Sequence, residues 1–305
     1  MVRRRHSASS GSPAAVGANA RSKVMSFYQL AKPGIIYSNV MTAAAGFLFA
    51  SRWQGRWWQL PALLVGNGLI IGSACVLNNY IDRSIDKKMK RTQSRALVTG
   101  AVSARAAMTY ATCLAVAGFV VLWQTNVLTV LLGMLAVFGY VVLYGMAKRR
   151  TPHGTLVGTL PGAASLVAGY TAATNRLDLA AFCLFLIMVV WQMAHFYSIA
   201  LYRLEDYRAA GLPVWPARYG ARSTQHWIVA YVLLFLLANI SLVALGRAGI
   251  TYLIAMVLGS VWWLDRARRG FTAADTAAWG RGMFGRSLLA LLLLSVALAL
   301  GPLLP

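Results

Sequence analysis

Apolar residues run along this chain in stretches of membrane length, separated by short polar segments. Nine such runs are legible, at roughly 33–51, 59–81, 104–124, 127–146, 155–173, 179–201, 226–245, 249–264 and 286–302, the eighth being short. A helix needs about 20 mostly apolar residues to cross a bilayer. Inside hydrocarbon the backbone must satisfy its own hydrogen bonds, so runs of this length wind into helices. The connections at one membrane face are very short, for example Gln124-Thr125-Asn126, and those at the other are longer and polar. Short connections make neighbouring helices antiparallel. The pattern predicts an all-α polytopic membrane protein, a bundle of about nine transmembrane helices occupying residues 25–305. Residues 1–24 are rich in Arg, Ser, Ala and Gly and hold no acid, so they read as a disordered cytoplasmic tail. No apolar h-region follows their arginines, which argues against a cleaved signal peptide.

The chain has 305 residues, 59% of them hydrophobic, with a formal charge of +22. Such a charge can indicate nucleic acid, but here it follows the loops. Of 29 Lys and Arg, all but Arg52, Arg56, Arg176 and Arg247 lie in the N-terminal segment or in alternate connections. The positive-inside rule then places the N-terminus in the cytoplasm and the C-terminus in the periplasm, with an odd number of spans. No nucleic-acid partner is expected, and the lipid bilayer is. The composition favours a bacterial inner membrane over a mitochondrial one. Cys75, Cys113 and Cys183 all fall inside apolar runs and fit no metal motif, so they read as small buried hydrophobes.

Acidic residues are scarce, seven in all, and the first two are Asp82 and Asp86. With Asn78 they are spaced i, i+4, i+8, which puts three oxygen-bearing side chains on one helical face. Hard oxygen donors suit Mg²⁺. Arg83, Lys87, Lys88, Lys90, Arg91 and Arg95 crowd the same segment. Carboxylates for a metal beside cations for an anion point to a phosphorylated substrate at a membrane edge, where carboxylates are costly and usually functional; the bland alternative is a solvated helix end. Glu205 and Asp206, just after the sixth run, lie at the same face and are expected to oppose the first motif. The bland alternative is a solvated loop with local pairing to arginines, and the shared membrane face favours the functional reading. Lys148 and Arg149 close the fourth run as diphosphate binders or as topology anchors. His195 lies well inside the sixth run, either as a structural hydrogen bonder or as a contact to a bound substrate such as a haem.

Taken together, these segments resemble the intramembrane prenyltransferase superfamily that includes 4-hydroxybenzoate polyprenyltransferase, and within it the protoheme IX farnesyltransferases. The likeness is carried by Lys32-Pro33-Gly34, by Asn78 through Arg95 (NNYIDRSIDKKMKRTQSR), by Lys148 through Gly162 (KRRTPHGTLVGTLPG), by Trp191 through Phe196, and by Tyr202 through Pro216 (YRLEDYRAAGLPVWP). The resemblance implies a helical bundle around a lipid-accessible cavity and transfer of farnesyl from farnesyl diphosphate to the 2-vinyl group of haem B, with water addition, to give haem O. A haem A synthase or a terminal oxidase would receive the product. Asn78, Asp82, Asp86 and Asp206 are implied to hold Mg²⁺ and to be catalytic. Arg91, Arg95, Lys148, Arg149, Glu205 and His195 are implied to bind substrate. One departure stands out: the second Asp-x-x-x-Asp of the superfamily is here Tyr202-x-x-x-Asp206. The rivals are a sibling enzyme with an aromatic or quinone-precursor acceptor, and a membrane transporter.

Overall fold

Caps and breakers divide the apolar runs into helices. The structure, a computed structural model, describes residues 23–305. Most of the tail expected over 1–24 therefore lies outside the described residues, and residues 23–30 are helical. Pro33 at the first turn opens α1 (Pro33–Ser51), where its missing N–H costs nothing. α2 (Gln59–Asp86) runs 28 residues and keeps the polar segment 82–86 helical. Ser103 caps α3 (Ala104–Leu122) and Asn126 caps α4 (Val127–Arg150), each side chain accepting from a backbone N–H. A π-helical stretch, Gly139–Tyr144, interrupts α4.

Thr151 turns extended and ends α4 before α5 (Gly154–Thr174). Asp178 caps α6 (Leu179–Tyr202), which is followed by the short helix Leu204–Ala209. α7 (Trp215–Ala244) begins earlier than its apolar run and is broken at Gly220, whose φ of 81° suits glycine. α8 (Ile250–Arg268) and α9 (Thr276–Leu300) complete the bundle, giving nine long helices among the described residues. Eight of them are long and apolar enough to cross a membrane. The other, α8, carries Asp265, Arg266 and Arg268 in its last turn. Its contacts run the height of its neighbours: the Tyr252 hydroxyl donates to Asn239 of α7, while at the far end the Trp279 indole of α9 donates to the Arg266 carbonyl at 2.9 Å.

α1, α5, α6 and α9 pack at the centre, and α9 also packs against α1. Small residues let the backbones touch, as in membrane bundles generally. A Cβ at Gly169 would sit 2.1 Å from the Ala43 carbonyl oxygen, and one at Gly46 2.1 Å from that of Leu166. The largest core cluster joins α5 to α9 through Leu184, Ile187, Phe235, Met256, Trp263 and Leu294. Outward faces are apolar and exposed, including Val120, Leu135, Leu237 and Leu258. Patches of that extent mark a surface that meets lipid.

Adding one methyl at the α1–α5 contact meets rigid backbone on both sides. Gly169→Ala is expected to destabilise by about 1–3 kcal/mol. Gly285→Ala in α9, where a Cβ would meet nothing within 4 Å, is expected to stabilise by about 0.5–1 kcal/mol. Thermal melting of the detergent-solubilised variants checks both signs.

Candidate active site

The last turns of α2 place Asn78, Asp82 and Asp86 along one buried face, at 5, 9 and 2% exposure. Each is met by a cation from elsewhere in the chain. Lys32, just before α1, donates to Asn78 Oδ1 at 3.3 Å. Lys148 and Arg149, from the last turn of α4, both reach Asp82, the latter at 3.1 Å. Arg149 also donates to the Ile81 carbonyl at 2.8 Å. The basic segment after α2 folds back, so Arg95 donates to Asp86 Oδ2 at 2.6 Å and to Asn79 Oδ1 at 3.0 Å. Thr92 fixes that return by donating to the Asp86 carbonyl at 2.9 Å. Four cations thus surround two carboxylates. Burial pulls the Lys32 ammonium down to about 8, the mark of a charge held away from water.

A cavity of about 460 Å³ opens beside this cluster. Arg91, Lys148, Arg203, Tyr144 and Tyr207 line it near the cluster, and Tyr140, Asn39, Gln192, Trp191, His195 and Phe284 line its remainder. The π-helical turn of α4 carries both tyrosines, with Tyr144 stacked on Tyr140 at 5.6 Å and lying under the Lys148 ammonium at 5.0 Å. Such π segments recur at functional sites. Gln192 donates to the carbonyls of Thr159 and Met188, both at 3.1 Å, and its Oε1 occupies the space a Cβ at Gly162 would need. A smaller apolar cavity of about 90 Å³ shares Ile35, Asn39, Tyr140 and Gly162 with the first and runs on toward Ile70, Leu122 and Val137.

His195 is buried on this cavity wall with Nδ1 2.7 Å from the Ser287 hydroxyl. Ser287 has one proton, and it is given to the Phe284 carbonyl at 2.6 Å. His195 Nδ1 must therefore carry hydrogen and donate to Ser287, which leaves Nε2 as a bare lone pair. The ring is stacked on Trp191 at 4.8 Å, and the Trp191 indole donates to the Ser287 carbonyl at 2.8 Å. Three contacts thus fix both the tautomer and the orientation.

The second acidic patch is placed differently. Glu205 is 87% exposed on its side chain and pairs with Arg208 at 2.9 Å. Neither Glu205 nor Asp206 lines the cavity. α6 ends at Tyr202, and the cap residue Arg203 and Tyr207 of the next helix face inward, which carries the intervening Glu205 to the other side. Burial pushes the Tyr207 hydroxyl up from its ordinary value. Among the described residues, no three of His, Cys, Asp and Glu gather in a group that could hold a metal ion, so Asp206 does not join Asp82 and Asp86 in such a group.

The donor set on α2 nevertheless fits one hard divalent cation. Mg²⁺ commonly takes one or two protein carboxylates and fills its remaining positions with water and substrate phosphate. Asp82 and Asp86 supply the carboxylates. Asn78 Oδ1, the only atom of that side chain able to meet a cation, now accepts from Lys32, while its amide nitrogen, a donor, is buried without a partner among the described residues. The sequence points to Asp82, Asp86, Arg95, Lys148 and Arg149 through their spacing and charge. Lys32, Arg203 and Tyr207 lie in segments that carry the resemblance but no spacing singles them out, and Ser287 has no sign at all; these four enter through backbone turns and helix phase.

The excess positive charge makes a prediction for anion binding. Lys148→Ala is expected to weaken binding of inorganic diphosphate by about tenfold, the worth of one charge-assisted hydrogen bond. Glu205→Gln, on an exposed face, should leave it unchanged. Titration calorimetry on the purified variants separates the two.

Residues 39–289 match the UbiA prenyltransferase family. The chain is 45% identical over 282 residues to protoheme IX farnesyltransferase 2 of Chromobacterium violaceum, covering 91% of this chain and 93% of that protein. It is 42% identical to the protoheme IX farnesyltransferase of Escherichia coli O1:K1 / APEC, covering 92% and 95%. Among solved structures, a digeranylgeranylglyceryl phosphate synthase superposes with a TM-score of 0.75 at 16% identity, covering 92% of this chain and 99% of that one. A UbiA homologue from Archaeoglobus fulgidus bound to GPP and Mg²⁺ gives 0.69 at 14% identity, covering 90% and 99%. At such identities the structures establish a shared fold. The sequence match extends over most of the bundle, and the chain belongs to the UbiA prenyltransferase family.

Proposed function

We propose that this prenyltransferase joins the farnesyl group of farnesyl diphosphate to the 2-vinyl group of haem B, with addition of water, to give haem O. The observation that carries the reading is the cation-rich α2 cluster set at one end of an apolar cavity whose wall includes His195, held by Ser287. The names of the 41–45% identical relatives support the choice of prenyl donor and acceptor.

The reaction breaks the bond between farnesyl C1 and the diphosphate oxygen. C1 bonds to the terminal vinyl carbon, and the adjoining carbon takes the oxygen of water, releasing one proton. Arg91, Arg203, Lys148 and Arg149 neutralise the departing diphosphate. These cations are preplaced, so little reorganisation accompanies the growth of negative charge. Asp82 and Asp86, with Asn78, would hold Mg²⁺, which supplies further stabilisation of the diphosphate oxygens when bound. The smaller cavity toward Ile70 and Leu122 suits the apolar tail of the prenyl chain. Apolar walls and stacked aromatic rings keep water from the allylic cation. Ser287 and Trp191 hold His195 on the cavity wall, and in the tautomer with Nδ1 donating to Ser287 its Nε2 is free to ligate the iron of a haem substrate. The chain is an integral membrane protein; its proposed place is a bacterial inner membrane, and its charge distribution supports an N-terminus in the cytoplasm and a C-terminus in the periplasm. A haem A synthase or a terminal oxidase is the proposed receiver of the product.

Membranes carrying the protein, supplied with haem B, farnesyl diphosphate and Mg²⁺, are expected to yield a more hydrophobic haem on chromatography. Asp82→Ala and Asp86→Ala should each remove that product while the protein still inserts, and chelation of divalent cations should do the same. Full turnover in either variant would remove the metal assignment, and absence of a farnesylated haem with the unaltered chain would remove the reaction. In a separate measurement, the Soret band of bound haem B is expected to lose its imidazole-ligated character in His195→Ala and to regain it on addition of free imidazole. Ser287→Ala, which frees the tautomer, should weaken haem binding by about tenfold.

A further inference from the structure

At the opposite end of the bundle the charge pattern has an exception. Only four basic residues belong to that side, Arg52, Arg56, Arg176 and Arg247. Three of them converge on one cavity of about 640 Å³. Each comes from a different connection: Arg52 follows α1, Arg176 joins α5 to α6, and Arg247 joins α7 to α8. One acid, Asp178, faces them. Its oxygens are already engaged, one accepting from the Tyr170 hydroxyl at 2.8 Å and the other capping α6 through the Ala181 N–H at 3.1 Å. Arg247 approaches it only to 3.8 Å, and among the described residues Arg52 and Arg176 have no ion-pair partner.

The cavity is built rather than incidental. Arg52 and Trp53 both hold left-handed backbone, φ 49° and 63°, a conformation that is costly for non-glycine residues. The Trp53 indole locks that turn to α9 by donating to the Ala299 carbonyl at 2.7 Å. Phe49, Ala50 and Leu245 form an apolar wall beside the arginines. Planar guanidinium groups match phosphate oxygens in pairs. An apolar wall at the level where helices leave the bilayer suits acyl chains.

We propose that this cavity binds the phosphate-bearing headgroup of an anionic phospholipid in the leaflet away from the catalytic cluster. One phosphodiester offsets one of the two positive charges that Asp178 leaves uncompensated while its oxygens accept from more than one guanidinium, and its glycerol and upper acyl carbons lie along Phe49 and Leu245. None of these residues belongs to the catalytic cavity, so prenyl transfer does not require the site.

The test uses the full chain in detergent, with melting temperature followed against added phosphatidylglycerol, phosphatidylcholine or inorganic phosphate, and native mass spectrometry for retained lipid. Phosphatidylglycerol should raise the melting temperature of the unaltered chain and of Arg56→Gln, whose arginine lies outside the cavity. In a combined Arg52→Gln, Arg176→Gln and Arg247→Gln variant the half-maximal lipid concentration should rise about tenfold or more, with turnover unchanged. Should that variant fail to fold, the three single Gln variants and their Lys counterparts carry the test, with Lys restoring part of the response. An equal response in the charge-removed variants overturns the proposal. So does a response to inorganic phosphate that matches the lipid, which would make this a free-anion site, and so does the lack of any response in the unaltered chain.

Discussion

The structure depends on how two carboxylates are kept charged at the edge of a membrane. Asp82 and Asp86 end a long apolar helix, and neither can remain there without counter-charge. The chain brings that charge from three places, namely the entry to α1, the end of α4 and the loop after α2. Together these contacts tie α2 to three separate segments. Taking one partner from a buried pair costs about 3–5 kcal/mol, because the remaining charge is stranded. The cluster is therefore both a clasp on the bundle and the mouth of its cavity.

The same arithmetic of charge turns the clasp into a binding site. The cations outnumber the carboxylates they serve, and Arg91 and Arg203 stand on the cavity wall with no ion-pair partner among the described residues. An entering diphosphate shares cations that are already ordered, so the entropy of fixing long basic side chains has been met in folding rather than in binding. Deeper in, the polar groups are few and individually tethered. Gln192 and His195 are held by backbone and hydroxyl partners, which keeps an otherwise apolar chamber from filling with loosely placed donors.

Much of this was legible in the residues, and the limits have physical causes. Run length reveals where a helix crosses lipid, because apolarity is what the bilayer selects. It does not reveal where the helix stops. α9 begins ten residues before its apolar run, at Thr276, because Asp275 caps it by accepting from the Ala277 and Ala278 N–H groups at 2.8 and 2.9 Å. α7 likewise starts at Trp215, ahead of the break at Gly220. The four-residue spacing of Asn78, Asp82 and Asp86 shows their common face because they share one uninterrupted helix. Glu205 and Asp206 sit just past a helix end, where a single turn at Arg203 resets which side chains point inward. No spacing rule survives such a reset, and the inward face proved to be Arg203 and Tyr207.

The π-helical turn in α4 carries a consequence of its own. Wound as ordinary α-helix, those six residues would rotate everything beyond Tyr144 by roughly 100°. Lys148 and Arg149 would then swing away from Asp82. The wider turn works as a phase adjuster in a screw: it lets α4 follow its lipid-facing stripe through the membrane and still arrive at the surface with its basic threads in register with α2. Whatever tightens or loosens that turn is transmitted as rotation to the phosphate end of the cavity, several residues away from any charge.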